Sequence, residues 1–269
     1  MTRIADKPGI MDDDSIVHRL SPSLHLGPDE VHVVSARLAT VTEADAALLD
    51  ANERARASRF ILARDREQFI AAHALLRRVL ARCLNCAPDN LTFGVTANGK
   101  PYLAGSAIDL RFNLSHSGER SMIVLAVGRD VGIDVEQERS VEVLGIAERY
   151  FAAGEAALLR TRSPAEQQVA FFRCWTRKEA FIKALGEGLG YPLDAFEVEL
   201  DDDTSRPLLR RTREESQVPV RWQVRSLHVE PGYAAAVAAS DWPWRIVQHE
   251  CPGAGSFVDS LNASSAVNS

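Results

Sequence analysis

The stretch VGIDVE, residues 131–136, is the most informative part of this 269-residue chain for its fold and its function. Apolar and polar residues alternate along it, which is the period of a β-strand with one buried face. The apolar side chains share one face of such a strand, whereas Asp134 and Glu136 share the other. Two carboxylates on one face repel unless water or a cation separates them, and oxygen ligands suit Mg²⁺. Two interpretations are open: a magnesium site, or the acidic outer face of a half-exposed strand.

A second informative stretch, FFRCWTRKEAFIKALGEGL, occupies residues 171–189 and overlaps a helix predicted from Glu166 to Leu185. Residues four apart lie on one face of a helix, so Trp175, Glu179 and Lys183 line up. Glycines at positions 186, 188 and 190 are expected to end the helix. Again two interpretations are open: an exposed Glu–Lys pair worth about 0.3–0.5 kcal/mol, or part of a functional site.

The apolar pattern predicts strands and helices on both sides of these stretches. A helix with one apolar stripe is predicted from Glu67 to Leu84. Further predicted elements are a helix at 143–151 and strands at 31–38, 121–127, 196–200, 220–227 and 233–238. Because helices and strands do not alternate regularly, as they would in a doubly wound sheet, we predict an α+β fold.

The same pattern divides the chain near residues 128–131. We predict an N-terminal α+β subdomain at 28–129 and a C-terminal α+β subdomain at 130–250. Residues 1–27 mix acids, prolines and histidines without a period, and residues 251–269 are rich in Gly, Ser, Asn and Ala. Such compositions are typical of chain ends without a packed core, so we expect a poorly ordered N-terminal segment and a flexible C-terminal tail.

Composition and charge argue against several classes of protein. Hydrophobic residues make up 46% and charged residues 25%, as in soluble globular proteins, and no apolar run is long enough for a membrane span. The formal net charge of −6 has the sign opposite to that usual in nucleic-acid-binding proteins, although the basic residues between positions 54 and 66 could still bind a small polyanion. The first residues lack an apolar signal core, and the four cysteines make no disulfide framework for this length. We therefore expect a cytoplasmic protein.

Two further segments carry groups that can bind phosphate. Lys100 follows the turn signal Asn98-Gly99, and FNLSHSG at residues 112–118 presents Ser115 and His116 beside a glycine. Hydroxyls and imidazoles donate hydrogen bonds to phosphate oxygens, but the same residue types also form turns. A hydrolase is disfavoured, because adjacent Ser and His residues rarely reach nucleophile–base geometry and no G-x-S-x-G elbow is present.

In this order, the segments Gly99-Lys100-Pro101, FNLSHSG, VGIDVE and FFRCWTRKEAFIKALGEGL resemble the Sfp-type 4′-phosphopantetheinyl transferases. The resemblance extends from residue 54 to residue 239. The length of the chain favours this branch over the acyl-carrier-protein synthases, which are shorter chains that assemble as trimers. The resemblance implies a pseudodimer of two similar α+β subdomains with the active site in the cleft between them.

The resemblance also implies roles for individual residues. Asp134, Glu136 and Glu179 match the ligands of Mg²⁺, for which Mn²⁺ can substitute. Glu179 and Lys183 match the catalytic residues. These assignments join the strand motif and the helix motif into one site.

Coenzyme A is the implied co-substrate. Its phosphate groups are expected to contact Lys100, Ser115, His116, Lys183 and, at the 3′-phosphate, Arg56. The chain departs from the family pattern at two positions. Glu53 stands where a basic residue is often found, and Phe69 stands where a small residue contacts the nucleotide.

The implied activity is transfer of the 4′-phosphopantetheine group of coenzyme A to the acceptor serine of an apo acyl or peptidyl carrier protein, with release of 3′,5′-ADP. The expected partners are carrier protein domains, with neither nucleic acid nor membrane involved. A monomer is expected because the pseudodimer already forms the cleft. Two alternatives are a coenzyme A- or carrier-binding protein without transferase activity, and a Mg²⁺-dependent phosphohydrolase.

Overall fold

Two β-sheets lie face to face in this protein, and a long helix covers the outer face of each. The structure, a computed structural model, describes residues 17–19, 24–201, 208–212, 221–241 and 243–251. In chain order its strands and α-helices are β1 (Val17–Arg19), β2 (Glu30–Arg37), α1 (Glu43–Leu48), α2 (Ala51–Ala57), α3 (Ala63–Leu84), β3 (Phe93–Val95), β4 (Pro101–Leu103), β5 (Leu110–Ser117), β6 (Arg120–Val127), β7 (Val131–Gln137), α4 (Val143–Tyr150), α5 (Ala153–Arg160), α6 (Pro164–Leu185), β8 (Phe196–Val198), β9 (Leu209–Thr212), β10 (Trp222–Ser226), β11 (Tyr233–Ser240) and β12 (Arg245–Cys251).

The first sheet has the strand order β1-β12-β2-β6-β5. β12 runs parallel to both of its neighbours, whereas β6 is antiparallel to β2 and to β5. The apolar stripe of α3 covers the outer face, where Leu75 and Leu80 share one buried cluster with Ile123 and Leu125. β12 follows the strands of the second sheet in sequence but pairs with β2 in the first sheet. This pairing joins the C-terminal part of the chain to the N-terminal part.

The second sheet has the order β10-β11-β7, and both of its strand pairs are antiparallel. α6 covers its outer face. The ring of Phe181 lies against those of Phe196 and Trp222, with centroid distances of 4.9 and 5.8 Å. Gly186 ends α6 in the left-handed conformation, with a φ of +75°, as the sequence predicts.

Apolar side chains of the two inner faces fill the layer between the sheets. Val33 and Val124 from the first sheet are fully buried there, as are Ile133 and Val237 from the second. Full burial of one such side chain contributes about 1.5–3 kcal/mol. We call the first sheet with α3 and the second sheet with α6 the two halves of the molecule. This apolar layer is a main source of attraction between them.

The α+β prediction is confirmed, and the long predicted elements are present. The predicted helix at Glu67–Leu84 corresponds to α3, and the one at Glu166–Leu185 corresponds to α6. The alternative of a turn at residues 112–117 is wrong, because these residues belong to β5. The chain turns only at Gly118, where φ is +57°.

The prediction lacks the short helices α1, α2 and α5, which have six, seven and eight residues. Helices of about two turns are too short for an apolar period to be recognised. Capping defines two of them instead. Thr42 and Asp45 exchange hydrogen bonds at the start of α1, and Asp50 and Glu53 do so at the start of α2.

The predicted terminal segments lie largely outside the described residues, which omit 1–16, 20–23 and 252–269. Within the N-terminal segment, residues 17–19 form β1. Among the described helices, none combines the length and the apolar character that crossing a membrane requires.

β7 and α6 approach each other at Gly132 more closely than a side chain would permit. A Cβ atom at this position would lie 2.2 Å from Ala180 O and 2.3 Å from Ala184 N. Both atoms belong to the backbone of α6, so no rotamer change can relieve the clash. The glycine therefore lets the helix rest directly on the strand.

Gly132→Ala is expected to displace α6 from β7 and to lower the free energy of unfolding by at least about 1–3 kcal/mol. Chemical denaturation measures the change. Gly190→Ala is the matched control, because nothing lies within 4 Å of a Cβ atom at that position. Equal stability of the two variants would show that the close approach is not required.

Candidate active site

Two carboxylates of β7 and two charged residues of α6 form the centre of the candidate site. Asp134 and Glu136 lie on the face of β7 that α6 covers, and Glu179 and Lys183 are one turn apart on that helix. Lys183 Nζ lies 2.5 Å from Asp134 Oδ1 and 3.1 Å from Ser115 Oγ. The Asp134 side chain is 4% exposed and that of Lys183 is 28% exposed. The ammonium therefore links a buried carboxylate to the open side of the site.

The three carboxylates crowd together in a partly buried space. Burial raises the pKa of Glu136, and the nearby Asp134 raises it further. The pKa of Glu179 is raised by burial first, and then by Asp134 and Glu136. Asp134 Oδ2 is buried and has no hydrogen-bond partner among the described residues. A cation beside these groups would offset their repulsion and satisfy the remaining oxygen.

The donor set fits Mg²⁺, which binds through a few carboxylate oxygens together with water and substrate phosphates. As the described side chains stand, no three His, Cys, Asp or Glu residues converge closely enough to hold a metal ion. The ammonium of Lys183 takes the cationic position beside Asp134 instead. A metal ion at this position would have to displace the ammonium from Asp134.

Hydroxyl groups of β5 contact both carboxylates of β7. Ser115 Oγ donates to Asp134 Oδ1 at 2.9 Å, and Ser117 Oγ donates to Glu136 Oε2 at 2.8 Å. Ser115 Oγ also accepts a hydrogen bond from Lys183, so its single hydrogen is committed to Asp134. The expected contact of Ser115 with a coenzyme A phosphate stays a prediction, and it requires this hydrogen bond to be exchanged.

His116 points away from its neighbour Ser115, because successive side chains alternate faces along β5. Burial, followed by the positive charges of His73 and Lys183, lowers the pKa of His116 to about 4. The imidazole is therefore neutral near neutral pH and can donate one hydrogen bond to a phosphate. The opposite orientations of Ser115 and His116 also disfavour a hydrolase pair.

Lys100 follows the turn at Gly99, where φ is +83°. Its ammonium donates to Val131 O at 3.1 Å and to Ala184 O at 3.0 Å. Burial lowers the pKa of Lys100 to about 8. Lys100 thus contacts the beginning of β7 and the last turn of α6, and its expected contact with a coenzyme A phosphate stays a prediction.

Arg56 lies on α2 and is exposed. Its guanidinium lies 5.3 Å from the ring centroid of Phe69, and that ring stacks on His73 at 4.0 Å. Glu53 is buried and accepts hydrogen bonds from His73 and Arg77. These hydrogen bonds give Glu53 a structural role, so it does not act in place of the basic residue that often binds phosphate at this position. The guanidinium of Arg56, in contrast, is accessible to a ligand.

Sequence reasoning missed the role of Lys178, which precedes Glu179 in the helix motif. Lys178 is fully buried, and its ammonium lies 2.8 Å from Glu155 Oε2 and donates to Leu193 O and Phe196 O. These contacts fix the rotation of α6 from the side opposite the site. A lysine in an apolar stripe is a usable signal, but its partner belongs to α5, which the apolar pattern does not predict.

Two family models match the chain on either side of residue 129. Residues 39–128 match the model described as 4′-phosphopantetheinyl transferase, N-terminal. Residues 130–238 match the model described as 4′-phosphopantetheinyl transferase superfamily. The chain therefore belongs to the 4′-phosphopantetheinyl transferase superfamily.

Individual relatives agree with this membership. The 4′-phosphopantetheinyl transferase HetI of Nostoc sp. is 33% identical over 230 residues, which cover 83% of this chain and 93% of HetI. The 4′-phosphopantetheinyl transferase Sfp of Bacillus subtilis is 32% identical over 193 residues, covering 71% of this chain and 83% of Sfp. A further 4′-phosphopantetheinyl transferase of Bacillus subtilis is 37% identical over 158 residues, covering 58% and 69% of the two chains. The predicted resemblance to Sfp-type enzymes is confirmed.

Because His116 is neutral in the folded protein, the free energy of unfolding should depend on pH in a way that can be measured. Its folded pKa of about 4 lies below the ordinary value of 6.5, so the unfolded chain binds this proton first as the pH falls. Stability is therefore lost between pH 6.5 and about 4, and His116→Gln should lose less over that interval. Chemical denaturation at several pH values measures this. An NMR titration of the wild-type imidazole with a midpoint near 6.5 would contradict the prediction.

Proposed function

We propose that this protein transfers the 4′-phosphopantetheine group of coenzyme A to the acceptor serine of an acyl or peptidyl carrier protein and releases 3′,5′-ADP. The observation that carries the proposal is the meeting of Asp134 from β7, Lys183 from α6 and Ser115 from β5 at the junction of the two sheets. Membership in the 4′-phosphopantetheinyl transferase superfamily supports the same conclusion.

Mg²⁺ is the proposed metal, with Asp134, Glu136 and Glu179 as its ligands. When bound, it would supply positive charge to the pyrophosphate of coenzyme A as the phosphorus–oxygen bond breaks. Mn²⁺ has the same preference for oxygen ligands and is proposed as a substitute. The support comes from the orphaned Asp134 Oδ2 and from the raised pKa values of both glutamates.

The proposed acceptor of the proton from the carrier serine is Glu179 or a water molecule at the metal, because a carboxylate that contacts Mg²⁺ has a lowered pKa and is a weak base. The serine oxygen forms a bond to the phosphorus attached to pantetheine, while the bond from that phosphorus to the bridging oxygen breaks. 3′,5′-ADP leaves with the electron pair of the broken bond. Lys183 is proposed to offset the negative charge that grows on this leaving group.

Coenzyme A is proposed to lie between the two halves of the molecule. The side chains proposed to contact its phosphate groups are Lys100, Ser115, His116, Lys183 and Arg56. The open position of Arg56 and the neutral imidazole of His116 support this placement. Binding of coenzyme A would draw the Lys183 ammonium away from the carboxylate of Asp134 and towards the pyrophosphate, because the pyrophosphate carries more negative charge.

The organisation of the chain into subdomains 28–129 and 130–250 is part of the proposal, and the two family matches on either side of residue 129 support it. We further propose a monomer that acts in the cytoplasm on carrier protein domains, without nucleic acid or membrane as partner. The net charge of −6 supports the exclusion of nucleic acid.

The two alternatives differ from transfer in what they release. A coenzyme A- or carrier-binding protein without transferase activity would release nothing, and it has no need of a proton acceptor such as Glu179. A phosphohydrolase would release phosphopantetheine without any carrier protein. Release of 3′,5′-ADP that depends on a carrier protein separates the proposed transferase from both.

The direct test is the intact mass of an apo carrier protein after incubation with this protein, coenzyme A and Mg²⁺. A gain of one phosphopantetheine is expected. EDTA should abolish it, and Asp134→Ala should slow it by about 10²–10³-fold, because loss of a ligand weakens the metal's stabilisation of transition-state charge, which is worth several kcal/mol. Asp109→Ala is the matched control, since it removes an exposed carboxylate paired with Arg111. Coenzyme A binding without any gain on several unrelated carriers would support the binding-protein alternative.

Lys183→Met should bind Mn²⁺ several-fold more tightly than the wild type when coenzyme A is absent. The reason is that the ammonium beside Asp134 no longer competes with the metal. The same variant should transfer phosphopantetheine more slowly and require more coenzyme A. Mn²⁺ titration followed by EPR measures the affinity, with Lys183→Arg as the charge-retaining control. Unchanged Mn²⁺ affinity in Lys183→Met would contradict this competition.

A further inference from the structure

β5 and β7 lie side by side without a backbone ladder between them. Among the described strands, β5 pairs with β6 and β7 pairs with β11, so each is the edge of its own sheet. Side chains of β5 accept hydrogen bonds from backbone N–H groups of β7. The three bonds are Ile133 N to Asn113 Oδ1 at 3.0 Å, Val135 N to Ser115 Oγ at 3.4 Å and Gln137 N to Ser117 Oγ at 3.1 Å. We call this set the polar row.

The polar row has the regularity of a strand pairing. Its members occupy alternate positions of β5, and the N–H groups that they bind occupy alternate positions of β7. In all three bonds the partners are 20 residues apart, and this constant offset means that the two strands run in the same direction. An edge strand has N–H groups that need acceptors. Side-chain oxygens take the place of the carbonyl oxygens that a neighbouring strand would supply.

The two serines of the polar row also donate hydrogen bonds to carboxylates of β7, which the asparagine does not. A hydroxyl can accept one hydrogen bond and donate another. Ser117 Oγ accepts from Gln137 N and donates to Glu136 Oε2 at 2.8 Å. Each serine therefore ties a carboxylate of β7 to the backbone of the residue that follows it. Asn113 meets the N–H of Ile133, which follows Gly132, and so no carboxylate lies beside it.

We propose that Ser117 is a positioning residue, which holds the Glu136 carboxylate in the orientation that a divalent cation requires. This inference rests on the proposed function, because it needs the metal site formed by Asp134, Glu136 and Glu179. Glu136 is only partly buried and projects near the end of its strand, so its side chain keeps rotational freedom unless a neighbour restrains it. The hydroxyl of Ser117 supplies that restraint from the other half of the molecule.

The row itself provides the matched control. Ser117→Ala removes one hydrogen bond between the sheets and also the restraint on Glu136, whereas Asn113→Ala removes only a bond between the sheets. Ser117→Thr keeps the hydroxyl. Two quantities are measured for each variant without coenzyme A or carrier protein: the denaturation midpoint of the metal-free protein, and the Mn²⁺ dissociation constant by EPR titration.

Both alanine variants should denature at lower denaturant concentration than the wild type. Only Ser117→Ala should also bind Mn²⁺ about tenfold more weakly, the usual effect of removing a partner that orients a metal ligand. Ser117→Thr should restore the affinity. Circular dichroism at the assay temperature confirms that each variant is folded, and the titration is run at a lower temperature for any variant that is not.

Two outcomes would overturn the proposal, and they can be told apart. If Ser117→Ala binds Mn²⁺ as tightly as Asn113→Ala, Ser117 serves only the junction of the sheets and the proposed function is unaffected. If the wild type binds no Mn²⁺, the metal ligands in the proposed function are wrong and Ser117 has no ion to serve. The carrier mass measurement then decides whether transfer itself takes place.

Discussion

The direct contact of α6 with β7 at Gly132 is the constraint on which the rest of the site depends. With no side chain at that position, the helix backbone lies on the strand, and Lys183 reaches the carboxylate of Asp134. Other contacts hold the same arrangement. Lys100 bridges carbonyl oxygens of the strand and the helix, and Lys178 anchors the opposite side of the helix to Glu155. Lysines that look alike in sequence therefore serve three different purposes.

The site gathers like charges that would separate in water. Burial and mutual repulsion raise the pKa values of Glu136 and Glu179, and the ammonium of Lys183 offsets part of the repulsion. Without a cation, the repulsion between these carboxylates costs free energy. The packing of α6 on the second sheet, and not attraction between the site residues, holds them in place. Such preorganised groups are suited to stabilising charge that develops in a transition state, because the fold has already met the cost of placing them.

The two halves of the molecule meet through unlike interactions. Apolar side chains fill the layer between the sheets, whereas hydrogen bonds from Asn113, Ser115 and Ser117 join their edges. The apolar layer supplies attraction without direction, and the hydrogen bonds supply register. Because the candidate site lies along this edge, neither half carries all of its residues, and β12 returns to the first sheet to hold the halves together.

The sequence by itself determined which faces carry chemistry. Alternation along β7 placed Asp134 and Glu136 together, and the four-residue spacing on α6 placed Glu179 with Lys183, because these periods follow from local backbone geometry. Asn113, Ser115 and Ser117 also alternate in FNLSHSG, but the residue types alone left this segment open between a phosphate-binding segment and a turn. Only the tertiary structure decided what each group contacts. The ammonium groups of Lys100 and Lys183 meet atoms distant in sequence, and a residue's partners follow from how whole elements pack, which no local period encodes.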